Sequence, residues 1–166
     1  MFRAVIIAST FSPGNQVTLY HGDCLDFLAT LPDSSMQLVV TSPPYNIGKE
    51  YEERLELNEY LEQQRAVIAQ CVRVLRADGS ICWQVGNYVE NGAIVPLDAA
   101  LFPVFCGLGL SMRNRIVWRF GHGLHCKNRF SGRHECIIWL TKSDDYYFDL
   151  EPVRVPQKYP RKRHYK

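Results

Sequence analysis

Two consecutive prolines set directly after an aliphatic run constrain this chain more than any other feature. Leu38-Val39-Val40 leads into Thr41-Ser42-Pro43-Pro44-Tyr45. Each proline fixes φ and removes a backbone donor, and the residue before each is pushed to extended geometry. A strand over 37–41 must therefore end in a stiff loop whose carbonyls have no ladder to join. That loop offers Ser42 Oγ, bare carbonyl acceptors and one aromatic face, Tyr45. Such groups suit a flat ring bearing an exocyclic amino group, and a nucleobase taken out of its stack is a ligand of that kind. Taken alone, the run is equally a rigid turn with a buried tyrosine.

The rest of the chain places this loop in an α/β pattern. Val17 to Tyr20 reads as a short strand, and Asp23 as the N-cap of a helix that Pro32 ends. Gln37 to Thr41 reads as a buried strand. The segment from Asn46-Ile47-Gly48 through Leu57 is charged and reads as a mobile loop. Asn58 is the expected cap of the strongest helix, whose apolar stripe is Leu61, Val67/Ile68, Cys71/Val72 and Leu75, with Asp78-Gly79 as its stop. Ser80 to Val85 reads as a buried strand. Pro96 is expected to open a helix through about Phe105. Ser111 to Phe120 and Glu135 to Thr141 are β-rich, with Ile116, Val117, Trp118 and Ile137, Ile138, Trp139 as their cores. Trp83, Trp118 and Trp139 are all expected in the interior. Tyr146, Tyr147 and Phe148 are expected to form a short edge strand. Alternating strands and helices followed by two successive late strands predict an α/β sheet with an antiparallel end.

Composition narrows the class. With 166 residues, 46% of them hydrophobic and 22% charged, the chain can bury one real core. A net charge of +2 does not argue for nucleic acid, but its distribution is uneven. Arg154, Lys158, Arg161, Lys162, Arg163, His164 and Lys166 crowd one end, interleaved with Tyr159 and Tyr165. Such a run can track phosphates, or can be a solvated end. The six cysteines form no Cys-x-x-Cys pair. No apolar run approaches the ~20 residues of a membrane span, and no signal-peptide layout is present. The expectation is a cytoplasmic protein with reduced thiols and no membrane association. His122, His125, Cys126, His134 and Cys136 are metal-ligand types, but their spacing matches no standard zinc pattern, so no metal is expected.

Val40-Thr41-Ser42-Pro43-Pro44-Tyr45 resembles the catalytic motif of the amino-methylating DNA methyltransferases. The likeness extends along the chain. Leu19-Tyr20-His21-Gly22-Asp23-Cys24-Leu25 resembles that family's Gly-Asp element, and Leu31-Pro32-Asp33-Ser34 its lead-in to the catalytic strand. Arg129-Phe130-Ser131-Gly132-Arg133-His134-Glu135 followed by Ile137-Ile138-Trp139-Leu140-Thr141-Lys142 resembles a later motif flanking the base pocket. Pro152 to Pro160 resembles the entry to the target-recognition region. The family's Phe-x-Gly-x-Gly cofactor loop has no counterpart here. Gly107-Leu108-Gly109 and Gly121-His122-Gly123 lack the preceding acid and Phe.

The resemblance implies an incomplete Rossmann-like, S-adenosylmethionine-dependent methyltransferase sheet: the catalytic-motif half of the fold. Residues 1–16 would be a lead-in, 17–150 the catalytic region, and 151–166 the basic start of target recognition. The implied reaction moves a methyl group from S-adenosylmethionine to N4 of cytosine or N6 of adenine in double-stranded DNA, in restriction-modification beside a cognate nuclease. Ser42, Pro43, Pro44 and Tyr45 are the implied catalytic residues, and Asp23 and Thr41 the cofactor contacts. Asn46, Arg129, Phe130, Ser131, His134, Lys158, Arg161, Lys162 and Arg163 are the implied base and DNA contacts. Ser42 Oγ and the Pro43 carbonyl would stabilise the amine as it bends toward tetrahedral geometry. The competing reading is a truncated, non-catalytic DNA-binding remnant.

Overall fold

The computed structural model describes residues 7–123 and 125–158. In chain order its elements are β1 (Ile7–Ala8), β2 (Val17–Thr18), α1 (Cys24–Thr30), β3 (Met36–Thr41), α2 (Leu57–Val74), β4 (Leu75–Val85), β5 (Asn87–Glu90), β6 (Ala93–Pro96), α3 (Leu97–Gly107), β7 (Ser111–Arg119), β8 (His134–Thr141) and a 3-10 turn at Glu151–Val153. The main sheet has the order β3-β4-β8-β7. Strands β3 and β4 are parallel, with Val39 opposite Ile81 and Thr41 opposite Trp83. Strand β8 lies antiparallel between β4 and β7. The α/β sheet with an antiparallel end is the one expected.

Helices α2 and α3 cover one face of this sheet. Ile68 and Cys71 of α2, with Leu97, Leu101 and Phe105 of α3, pack on Ile81, Trp83 and Val85 of β4 and Ile138 and Leu140 of β8. The Trp83 and Phe105 rings meet edge to face at 5.6 Å, a favourable aromatic arrangement. No helix among the described residues is long and apolar enough to cross a membrane.

Several expectations are corrected. Helix α2 begins at Leu57 behind an extended Glu56, not behind Asn58, which lies inside the first turn. The helix stops at Val74, well before Asp78-Gly79, because tertiary partners take its last carbonyls. Ser34 N donates to Arg73 O at 3.0 Å and Ser35 N to Val74 O at 2.8 Å. Leu75 then turns extended and pairs with Met36. Strand β3 is not buried: Leu38 is 57% and Val40 70% exposed. Both point away from the helices, onto a face that no described helix covers. The same uncovered face explains why Ile116 and Trp118 of β7 are exposed, Trp118 at 58%, rather than core; Val117 points to the opposite face and is exposed because β7 is the edge strand of the sheet.

Trp139 is half-buried. It is sheltered by Tyr146 and Phe148, which pack on its ring at 5.4 and 5.3 Å. Tyr146 to Phe148 therefore cross the sheet face and form no edge strand. Strand β1 pairs in parallel with β2, so the expected Val17–Tyr20 strand is confined to Val17–Thr18. The antiparallel β5–β6 hairpin was not anticipated, although Asn91 and Gly92 at its tip (φ 49° and 82°) are the residues a two-residue primed turn favours.

Two tryptophans make opposite predictions. Trp83→Ala, in the buried cluster, should cost about 3–5 kcal/mol of stability. Trp118→Ala, on the bare face, should stay within about 0.5 kcal/mol. Urea unfolding of both variants checks the assignment of the two sheet faces.

Candidate functional site

The parallel pairing of β3 with β4 and the antiparallel pairing of β4 with β8 bring three chain segments to one end of the sheet. They are the loop after Thr41, the Val85-Gly86 end of β4, and the start of β8. Ser42 is exposed and Tyr45 half-buried. Ser42 Oγ and Tyr45 Oη lie 2.8 Å apart. Tyr45 Oη donates to Glu135 Oε2 at 3.1 Å, and Gln84 Nε2 donates to the same oxygen at 2.7 Å. Gly86 lies under the tyrosine ring. A Cβ added there would sit 3.0 Å from Tyr45 Cε2, so the ring position depends on the missing side chain. Burial, then the negative charge of Glu135, raises the Tyr45 phenol above its ordinary value, against the bond to Ser42.

The loop is braced from the helix side. Tyr60 Oη of α2 donates to the Pro44 carbonyl at 2.8 Å. Among the described residues nothing donates to the Pro43 carbonyl, so that acceptor stays open. Asn46 is 1% exposed and holds a left-handed backbone, φ 59°. Its side chain pairs with the backbone of Leu55: Asn46 Nδ2 donates to Leu55 O at 2.8 Å and Leu55 N to Asn46 Oδ1 at 2.7 Å. Glu52 accepts from Asn46 N and Ile47 N at 2.9 and 3.0 Å. Asn46 therefore ties down the segment expected to be a mobile loop, an arrangement unlike a free base contact.

On the other side of Pro44 lies a cavity of about 430 Å3, lined by Asp23, Pro44, Asn46, Glu52, Tyr60 and Gln64 among others. Asp23 caps α1, its Oδ1 accepting from Leu25 N at 2.7 Å. Gln64 Oε1 is buried and has no hydrogen-bond partner among the described residues. An orphaned acceptor of this kind is costly unless a ligand or water donates to it.

The other expected residues are placed less tightly. Thr41 ends β3 opposite Trp83. Arg129 is exposed, and Phe130 is 98% exposed on the β7–β8 connection. Ser131 Oγ accepts from Cys126 N at 3.3 Å. His134 opens β8 opposite Arg119. Lys158 is exposed; Arg161, Lys162 and Arg163 lie outside the described residues. Among the described residues no three metal-ligand side chains gather to hold an ion. Gln84, Gly86, Tyr60 and Gln64 carry no sequence signal of their own, whereas the motif resemblance puts Glu135 beside the base pocket without naming its partner. Glu135 meets Tyr45 across 90 positions of chain; the motif resemblance brings it to the pocket, and strand register supplies the contact itself.

Comparison with known proteins follows the same lines. The family described as DNA methylase, whose model is named for N6 and N4 methyltransferases, matches residues 36–166. The type II methyltransferase M.BglII of Bacillus subtilis is 53% identical over 161 residues, covering 96% of this chain and 45% of that protein. The cytosine-N4-specific PvuII DNA methyltransferase has the same fold at TM-score 0.66 and 23% identity, covering 76% of this chain and 49% of its own. A candidate DNA modification methylase from Thermus thermophilus, solved with S-adenosyl-L-methionine, superposes at TM-score 0.64 and 26% identity, covering 81% of this chain and 58% of its own. The chain thus spans about half the length of the proteins it matches.

The buried phenols set an alkaline limit on the site. Burial raises Tyr60 well above its unfolded value of 10.0 and raises Tyr45 as well. In the unfolded chain both ionise first, so their contribution is intact below pH 10 and is lost as pH rises past it. Stability measured by urea titration should fall from about pH 10 upward, and Tyr60→Phe should flatten that fall.

Proposed function

The chain belongs to the DNA methylase family, and we propose that the protein it comes from transfers a methyl group to an exocyclic amino group of a flipped base, N4 of cytosine or N6 of adenine, in double-stranded DNA. One observation carries this reading. At the end of β3, exposed Ser42 carries an acceptor Oγ tied at 2.8 Å to the Tyr45 hydroxyl, and the next residue, Pro43, has a carbonyl to which nothing among the described residues donates. An aromatic amine is a poor nucleophile because its lone pair is delocalised into the ring. Two acceptors placed for the bent amine favour the transition state over the planar ground state. Tyr45 stacks on the base, a contact worth about 1–3 kcal/mol.

S-adenosylmethionine would supply the methyl group. The 430 Å3 cavity behind Pro44 suits a donor-rich cation. Asp23 and Glu52 line it with carboxylates, and Gln64, whose buried Oε1 has no partner among the described residues, is part of its wall. Asp23 and Gln64 would accept from the cofactor's amine and hydroxyl groups, with Thr41 at the end of β3 closing the approach. The basic, acid-free stretch from Trp118 to His134, at the same end of the sheet as Glu135, would face the duplex. Arg129 and Lys158 would meet phosphates, and the exposed Phe130 would lie against the bases. Residues from 151 onward would begin target recognition. We place this activity in type II restriction-modification, beside a cognate nuclease and on cytoplasmic DNA; the type II methyltransferase names of its relatives support the modification half of that setting.

The test is transfer of labelled methyl from S-adenosylmethionine to DNA by the full protein. The Ser42→Ala, Tyr45→Ala double variant should lose at least ~100-fold in kcat; an unchanged rate would refute the assigned site. If this 166-residue chain binds duplex DNA, but neither it nor the longer protein takes up S-adenosylmethionine, the binding remnant is the correct reading.

A further inference from the structure

We infer that Glu135 is a positioning residue that sets the direction of the hydrogen-bond chain through Tyr45 to Ser42 and receives the proton the methylated amine must lose. The inference rests on the reading of the Ser42–Tyr45 loop as the base site. Its basis is donor and acceptor bookkeeping. An ionised carboxylate can only accept. Glu135 Oε2 accepts from Gln84 Nε2 at 2.7 Å and from Tyr45 Oη at 3.1 Å. Tyr45 has one hydroxyl proton, and it is committed to Glu135. In the Ser42–Tyr45 contact at 2.8 Å, Tyr45 must then accept and Ser42 must donate. Ser42 Oγ is left with its lone pairs toward solvent, where the target amine would enter. Without the carboxylate, Tyr45 could donate to Ser42 and turn the serine proton against the amine.

The same wires carry the proton away. Attack on the methyl group leaves the amine with a positive charge and one proton too many. That proton passes to Ser42 Oγ as the serine proton passes to Tyr45 Oη and the tyrosine proton to Glu135 Oε2. The amine ends neutral and methylated, both hydroxyls are restored, and the carboxylate becomes a carboxylic acid. No side chain that touches the base has to be a strong base. Gln84 holds Glu135 at the end of β4, where Val85 pairs with Cys136, so the acceptor is fixed by sheet register rather than by a loop.

A fluorinated tyrosine at position 45, whose phenol ionises nearer neutrality, reports the network by 19F titration independently of methyl transfer. Glu135→Gln removes the negative charge and should lower the midpoint of that titration. Gln84→Met leaves the carboxylate to bear on Tyr45 alone and should raise it. Opposite shifts are a signature that loss of packing would not give; a midpoint unmoved, or moved the same way by both variants, overturns the inference. In the full methyltransferase, Glu135→Gln should lower kcat roughly 100-fold, at the low end for a positioned proton acceptor, with KM for DNA unchanged. An unchanged kcat also overturns it. If the unaltered protein transfers no methyl group to DNA, the proposed function fails, while the 19F shifts still decide whether Glu135 governs Tyr45.

Discussion

Strand β4 holds two partners in opposite senses, and the site exists because of it. Its parallel pairing with β3 delivers the Pro-Pro loop to the carboxyl end of the sheet, where ligands of α/β sheets sit. Its antiparallel pairing with β8 brings Glu135 to the same end from 90 positions away. Reversing either sense would put the carboxylate and the tyrosine at opposite ends of the molecule. The core under β4 fixes this arrangement: Ile81, Trp83 and Val85 are each almost fully buried, and alternate residues of the same strand face the open side.

The loop combines two kinds of rigidity. The prolines limit its backbone, while Tyr60 and Asn46 anchor its surroundings through polar bonds made in partial burial. Those bonds are worth more there than in water, and cost more if left unmade. The helix that supplies Tyr60 also supplies Gln64, so α2 braces the base side and lines the neighbouring cavity. A shift of α2 would disturb both at once.

Much of this was legible in the chain before any coordinates, and the failures have definite physical causes. Asp23 capped its helix as expected because an N-cap is decided within a few residues. The Ser-Pro-Pro-Tyr loop fell at a strand end because proline chemistry is local too. Helix α2 stopped at Val74, a full turn before its apparent stop signal, because Ser34 and Ser35, far earlier in the chain, took its terminal carbonyls. Ile116 and Trp118 looked like core because apolar strand residues were counted without knowing whether both faces were covered, and Val117 because the place of β7 at the sheet edge is not written in its own residues. The β5–β6 hairpin was readable from Asn91-Gly92 and was overlooked. Gln84 matters, and Glu135 meets its partner, only through register, which local spacing does not encode.

The outer edge of β3 has a colloidal consequence. Met36 to Thr41 carries no charge and no proline. Its irregularity of register falls near the start, between Met36 and Leu38, so the stretch that displays Leu38 and Val40 is regular. Soluble β-proteins usually guard such an edge with lysine, proline or a bulge that twists it away. Among the described residues no strand pairs with the outer edge of β3, and such an edge beside exposed Leu38 and Val40 is a template on which a second strand can grow, in its proper place within a larger sheet or, at high concentration, on a neighbouring molecule of the same kind.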